Sequence, residues 1–282
     1  MPFPSQLAFT GYSLATIFCW GTGDFLGGYA AKRANAVVLT AGAHACGLVL
    51  MTMLALLDGG PFPERTLALW AVAGGLSGGG ALAIFYRALA SGKMGMTAPI
   101  SAVLAAAISV AFGMFTEGLP HLIQLIGFCL AAVGIVLISQ SEGGAGRPQG
   151  FRLAVLAGFG FAGFFICMKQ TGASSALWSA ALSRTASLVL VGAIVLVTGS
   201  ARNIQRNALL LGGLAGCLDV TGTALYVRAS QIGRLDAAVV LSSLYPAVTV
   251  LLARLLLKER FTRWKTVGMV TAILAVPMIA LQ

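Results

Sequence analysis

Long apolar runs separated by short polar gaps make up almost the whole chain, and the runs are far too long for strands. A bilayer core about 30 Å thick takes roughly 20 predominantly apolar residues per helical crossing. By that measure the sequence predicts ten crossing helices, at 9–31, 37–57, 67–90, 94–116, 121–140, 151–170, 176–199, 207–230, 235–257 and 264–281. The longest polar connection, 141–150, is glycine-rich and falls at the midpoint. No stretch remains from which an extramembrane domain could be built.

The pattern is written twice. Phe85-Tyr86-Arg87-Ala88-Leu89-Ala90-Ser91-Gly92-Lys93-Met94 returns as Tyr226-Val227-Arg228-Ala229-Ser230-Gln231-Ile232-Gly233-Arg234-Leu235, and the shift that sets Arg87 on Arg228 is the repeat offset. His44-Ala45-Cys46-Gly47-Leu48-Val49-Leu50 aligns with Arg184-Thr185-Ala186-Ser187-Leu188-Val189-Leu190, and a slip of one residue then places Ser101 on Ser243 and Glu117 on Glu259. The predicted organisation is a five-helix repeat over 1–140, a linker over 141–150 and a second five-helix repeat over 151–282. An odd number of spans in each copy makes the two run oppositely through the membrane. Small residues four apart, at Gly23/Gly27, Gly74/Gly78, Gly75/Gly79 and Gly212/Gly216, predict close helix contacts, with the third and eighth spans at the crowded interface between halves.

Composition agrees: 58% of residues are hydrophobic and 9% charged, which does not describe a water-facing surface. The eighteen basic residues and net charge of +10 are scattered between apolar runs, a topology signal and not a nucleic-acid face. Thirteen of them follow odd-numbered spans and four follow even-numbered ones, with Arg184 inside a span. The positive-inside rule then places a multi-pass protein in the cell (inner) membrane with both termini extracytoplasmic. The first residues carry no positive n-region, so the first run reads as a retained span. Cys19, Cys46, Cys129, Cys167 and Cys217 all lie in apolar runs without a C-x-x-C pair, and no metal or cofactor is expected.

Trp20-Gly21 in the first span, Arg184 in the seventh, and Tyr245-Pro246, Lys258-Glu259-Arg260 and Gly268 across the ninth and tenth resemble the EamA-type branch of the drug/metabolite transporter superfamily. The resemblance covers nearly the whole chain. It implies an all-α integral membrane protein, ten transmembrane helices forming two five-helix inverted repeats around a central cavity, with the fifth and tenth outside it. It also implies alternating access, export of amino acids, drugs or other metabolites, and cytoplasmic termini, the reverse of the charge count. Two positions depart between the halves: Leu104 stands where the second half has Pro246, and His44 where it has Arg184.

A charge near the middle of a span costs about 2.5–3.5 kcal/mol on insertion scales, so each marks a function or a fixed partner. Asp219 in the eighth span reads as a cavity carboxylate or as a structural partner of Arg184 or Arg228. Asp24 in the first reads as a substrate carboxylate or as a boundary charge paired with Lys32 or Arg33. Arg184 suits a substrate carboxylate or an acidic partner, and His44 at the equivalent place suits a buried hydrogen bond. Trp20, Tyr86, Tyr226 and Tyr245 are candidate aromatic walls for an amphiphilic substrate. Pro246 removes one backbone hydrogen bond, which frees a carbonyl and Ser243 for a ligand and makes Pro246 a candidate hinge. Glu117 and Glu259 read as solvated boundary charges, and Lys169 as a helix-end cation that snorkels to the headgroups.

Rival classes are poorly served. Gly75-Leu76-Ser77-Gly78-Gly79 satisfies G-x-S-x-G, but no acid is set to orient a histidine toward it. A channel would need a ring of like groups. The expected function is a secondary transporter exporting small amphiphilic metabolites, amino acids including aromatic ones first, with export of lipophilic cations as the alternative. Its partners are a small-molecule substrate and the lipid bilayer, as a monomer or weak homodimer. No P-loop is present, so the driving force is a gradient.

Overall fold

The structure is a computed structural model, and it describes residues 3–91, 94–139, 150–200, 206–258 and 262–280. The predicted linker up to residue 149, together with Lys93, Glu259 and Arg260, lies outside these. The described residues fold into eleven helices and no strand: α1 (Phe3–Ala31), α2 (Ala36–Asp58), α3 (Arg65–Ser91), α4 (Met94–Glu117), α5 (Leu122–Ser139), α6 (Phe151–Lys169), α7 (Ala176–Thr198), α8 (Arg206–Ile232), α9 (Leu235–Ser242), α10 (Tyr245–Leu257) and α11 (Arg263–Ala280). They make ten spans, because α9 and α10 are two halves of one. Seven spans are both long and apolar enough to cross a bilayer; α5 and α11 hold shorter apolar stretches, and α1 has the length but carries serines, threonines and Asp24. The protein is an all-helical, multi-pass membrane protein.

Helix ends follow local chemistry, and they follow it twice. Asn35 accepts from the Val37 N–H at the start of α2, and Gly59 at φ +67° closes that helix. At the corresponding places in the second half, Ser175 accepts from the Trp178 N–H at the start of α7, and Gly199 at φ +60° closes it. Side-chain N-caps and left-handed C-caps satisfy terminal groups that lipid cannot. The break in the ninth span also has a cause. Pro246 has no N–H to give to the Ser242 carbonyl, so α9 ends on Ser243 N–H to Val239 O at 2.8 Å. Leu244 N–H then turns tightly to Leu241 O at 3.1 Å, and the helix restarts at Tyr245. With Leu104 at the matching place, α4 runs through.

Packing repeats the same duplication. The most extensive contacts outside α5–α11 join α1 to α8 and, in mirror fashion, α3 to α6; α2 meets α8 as α7 meets α3, and α2 meets α7 directly. At the tightest crossings a side chain has no room: a Cβ on Gly75 would strike the Ser183 carbonyl, and one on Gly216 the Ala43 carbonyl. These are equivalent contacts in the two halves, and both lie between halves. The helix pair α5 and α11 packs on itself, with Gly134 against the Gly268 carbonyl and Gln124 Nε2 donating to Ile279 O at 3.4 Å. Leu56, Val189, Leu210 and Ile273 face outward, apolar side chains that a bilayer accepts.

Gly75→Ala and Gly216→Ala should each destabilise the purified protein by about 1–3 kcal/mol through overpacking. Gly192→Ala, whose new Cβ meets nothing within 4 Å, is the control. Thermal unfolding in detergent checks this, and equal midpoints for all three would contradict the packing described.

Candidate functional site

Seven spans, carrying α1, α3, α4, α6, α7, α8 and α10, enclose a cavity to which neither α5 nor α11 contributes. Its lining comes partly in repeat-related pairs: Trp20 and Phe161, Asp24 and Phe165, Gly78 and Asp219, Leu82 and Thr223 each stand at the offset that sets Arg87 on Arg228. The polar member of a pair is present in one half only. The free volume is small, about 40 Å³, which is room for a few waters.

Arg184 anchors one side. It is 5% exposed, and its Nη2 lies 2.7 Å from Asp219 Oδ2 and donates to Thr223 Oγ1 at 2.7 Å. Nη1 lies 3.2 Å from His44 Nδ1, which is how the seventh and second spans are joined at their equivalent positions. Thr223 in turn donates to the Asp219 carbonyl at 3.0 Å. That same carbonyl accepts from Trp20 Nε1 at 3.0 Å, so the ion pair also fixes the indole of α1. Trp20 then holds the aromatic wall: Tyr245 and Phe164 meet it edge-on at 6.3 Å between centroids, and Phe165 lies 5.6 Å away. Thr249, one turn after Tyr245, donates to the Gly21 carbonyl at 2.9 Å and fastens α10 to α1.

Asp24 faces the same cavity differently. It is 6% exposed, and its carboxylate has no hydrogen bond or ion pair among the described residues. Arg33 is turned elsewhere, 4.1 Å over the Tyr29 ring. A buried polar group left unsatisfied costs about 1–3 kcal/mol, more when charged. The cavity therefore combines aromatic walls, a closed Arg184–Asp219 ion pair and a carboxylate without a partner among the described residues.

Residues 149–281 match the EamA-like transporter family. The second half of the chain is thus similar to that family. A crystal structure of another protein superposes with a TM-score of 0.74 over 96% of this chain and 95% of its own, at 17% identity, a likeness that carries the fold alone. No curated protein matches the chain. The match covers the second half of the chain, where the all-helical membrane fold is described, and it is a likeness to a family of transporters. Ser77 of the G-x-S-x-G sequence donates to the Gly160 carbonyl at 2.8 Å and ties α3 to α6.

Of the sequence-predicted site residues, Trp20, Asp24, Arg184, Asp219 and Tyr245 converge on the cavity. Tyr86 and Tyr226 do not line it. Tyr226 is fully buried behind the wall, donating to Phe165 O at 3.2 Å with its ring 5.7 Å from Trp20. Tyr86 is fully buried against Gly27. Ser243 lies buried at the helix break, and Pro246 opens α10 just beyond it. Sequence reading missed Phe161, Phe164 and Phe165 of α6. A signal was available: shifting Trp20 and Asp24 by the repeat offset lands on Phe161 and Phe165.

Loss of Asp219 should be costly and loss of the Asp24 charge should not. Asp219→Ala leaves the Arg184 guanidinium buried and short of its partner, for an expected loss of about 3–5 kcal/mol. Asp24→Asn removes an unpaired charge and is expected to raise stability by about 1 kcal/mol. Unfolding midpoints of the two variants in one detergent decide it; a destabilised Asp24→Asn would mean that the carboxylate has a structural partner.

Proposed function

We propose that this protein is a transporter of the EamA-like kind and exports small amphiphilic molecules bearing a protonated amine, amino acids including aromatic ones first, by alternating access. The moving units are the two five-helix repeats, 1–140 and 151–282, joined by the 141–150 linker. The observation that carries the reading is Asp24, a buried carboxylate without a partner that faces an aromatic-walled cavity. An ammonium group supplies the charge and the donors that Asp24 lacks, and Trp20, Tyr245 and the α6 phenylalanines take an apolar or aromatic body. Arg184 lies in the same lining, where a substrate carboxylate competes with Asp219 for its fork. Tyr86 and Tyr226 brace the wall, and the turn at Ser243 before Pro246 is the hinge.

The small free volume supports movement, since an amino acid does not fit unless helices part. Placing the basic odd-numbered connections in the cytoplasm gives loading from that side. A second reading is export of lipophilic monocations. Arg184 is already met by Asp219, so with Asp24 ionised the three charges sum to a single negative one, which suits a cation without a carboxylate.

Flux into liposomes holding the purified protein separates the readings. Labelled phenylalanine and a labelled quaternary ammonium compound are compared, each with and without an imposed proton gradient, for the parent and Asp24→Asn. Phenylalanine flux that falls at least about tenfold in Asp24→Asn, a loss of about 1.4 kcal/mol of binding, supports the proposal. Flux of the quaternary cation alone moves the substrate to the second reading. Phenylalanine flux undiminished in Asp24→Asn removes Asp24 from the site.

A further inference from the structure

One face of the protein carries the turns after the fourth, sixth and eighth spans, and there four charged side chains from both halves meet. Lys169, in the last turn of α6, lies 3.1 Å from Glu117 at the end of α4. The same ammonium donates to the carbonyls of Ser230 and Gly233 at 2.7 and 2.8 Å, at the end of α8. The other Glu117 oxygen accepts from the N–H of Leu235, the first residue of α9, at 2.8 Å. Arg234 bridges the gap in the opposite sense. It holds Asp236 at 2.8 and 3.1 Å and donates to the carbonyls of Glu117 and Gly118 at 3.0 and 2.5 Å.

These charges are not the solvated boundary groups that their positions suggest. The two cations hydrogen-bond the last carbonyls of α4 and α8, and the Glu117 and Asp236 carboxylates accept from the first N–H groups of α9, contacts that helix dipoles favour. Glu117 belongs to the first half of the chain and the other three to the second. Trp178 adds a neutral tie on this face, donating to the Gly60 carbonyl at 3.0 Å and so joining α7 to the turn between α2 and α3. Phe165, which lines the cavity, precedes Lys169 by one turn, placing the cluster about 6 Å beyond the cavity along α6.

The element on which these ties converge is set off from the rest of its span by a turn. All eight residues of α9 are buried, and it ends at the Ser243–Leu244 turn, beyond which Tyr245 reaches the cavity. Lys169 and Glu117 keep 24% and 22% of their side-chain surface in contact with solvent, so water can replace either partner and the pair is individually weak. A reversible closure needs that property.

We propose that Glu117, Lys169, Arg234 and Asp236 form the closed gate of this face, with α9 as its moving leaf turning at Ser243–Leu244. Tyr245 is the contact through which an occupied cavity reaches the leaf. The gate rests on the alternating-access reading above, and not on the substrate named there.

The test is the access of a reporter cysteine at position 165 to a membrane-impermeant maleimide. Phe165→Cys is placed in a protein whose five native cysteines are replaced by alanine, and vesicles of both orientations report the two faces separately. The expected result is slow labelling from the gate face. Glu117→Gln or Arg234→Gln raises it by about tenfold or more as the population shifts toward the open form. Labelling from the opposite face does not rise, and Lys169→Arg, which keeps the charge, stays within about twofold of the parent. Two neutralised sites guard against one variant failing to insert. Parent-like labelling from the gate face in the variants that insert overturns the gate, and so does an equal rise on both faces, which means general loosening. No substrate enters this readout. A failed flux experiment with intact gating therefore rejects the substrate and leaves the gate, whereas unchanged labelling with normal flux rejects the gate alone.

Discussion

A guanidinium inside an apolar helix bundle needs partners, and Arg184 finds them on two other spans, with its Nε alone left unmatched among the described residues. Asp219 supplies the countercharge, Thr223 an acceptor and His44 a ring nitrogen. From that requirement much of the centre follows. The Asp219 backbone, held in register by Thr223, presents its carbonyl to Trp20, and Trp20 sets the angle of the aromatic wall. The pair thus organises the cavity while balancing its own charge. Asp24 has no comparable anchor among the described residues, and the proposed substrate contact rests on that difference. Buried charge that structure has already compensated and buried charge that it has not are different signals, and only the second points to a ligand.

Duplication sets the frame in which this asymmetry matters. Cap positions, glycine crossings and half of the cavity lining recur at or next to the repeat offset. A strictly symmetric site would present the same chemistry twice across the axis, as a channel ring does. Here the second copy has Phe165 where the first has Asp24, and the first has Gly78 where the second has Asp219. Each half contributes a carboxylate against an apolar or glycine partner, so the cavity gains an apolar side and a charged one. That division matches an amphiphile better than an ion. The ninth span departs in the same way: Pro246 breaks it where Leu104 lets α4 continue, and a symmetric pair of spans becomes one stiff and one jointed.

Much of the fold was legible in the sequence because lipid leaves a chain few options. Ten apolar runs and short turns are imposed by bilayer thickness and backbone satisfaction, and both leave marks in composition. The charged cavity residues were legible for the same reason, since Asp24, Arg184 and Asp219 are expensive where they stand. Their pairing was not, because spacing along one helix does not say which neighbour on another helix it meets; Asp219 had two candidate arginines. Tyr86 and Tyr226 misled because an aromatic in an apolar helix carries no mark of whether it faces lumen or neighbour. The charges at Glu117 and Lys169 misled in the opposite direction. A boundary position reads as solvated, yet the fold brings helix ends from both halves to one place and joins them there.

The central claim is that the cavity selects its ligand through the amine that Asp24 takes up. Equilibrium binding of phenylalanine and of its deaminated analogue, 3-phenylpropionate, to the purified protein tests it most directly, since the two share the aromatic body and the carboxylate. Removing the amine is expected to weaken binding by at least about a hundredfold, roughly 2.7 kcal/mol for a charge-assisted contact. Equal affinities for the two would contradict the claim and transfer recognition to Arg184 and the aromatic wall.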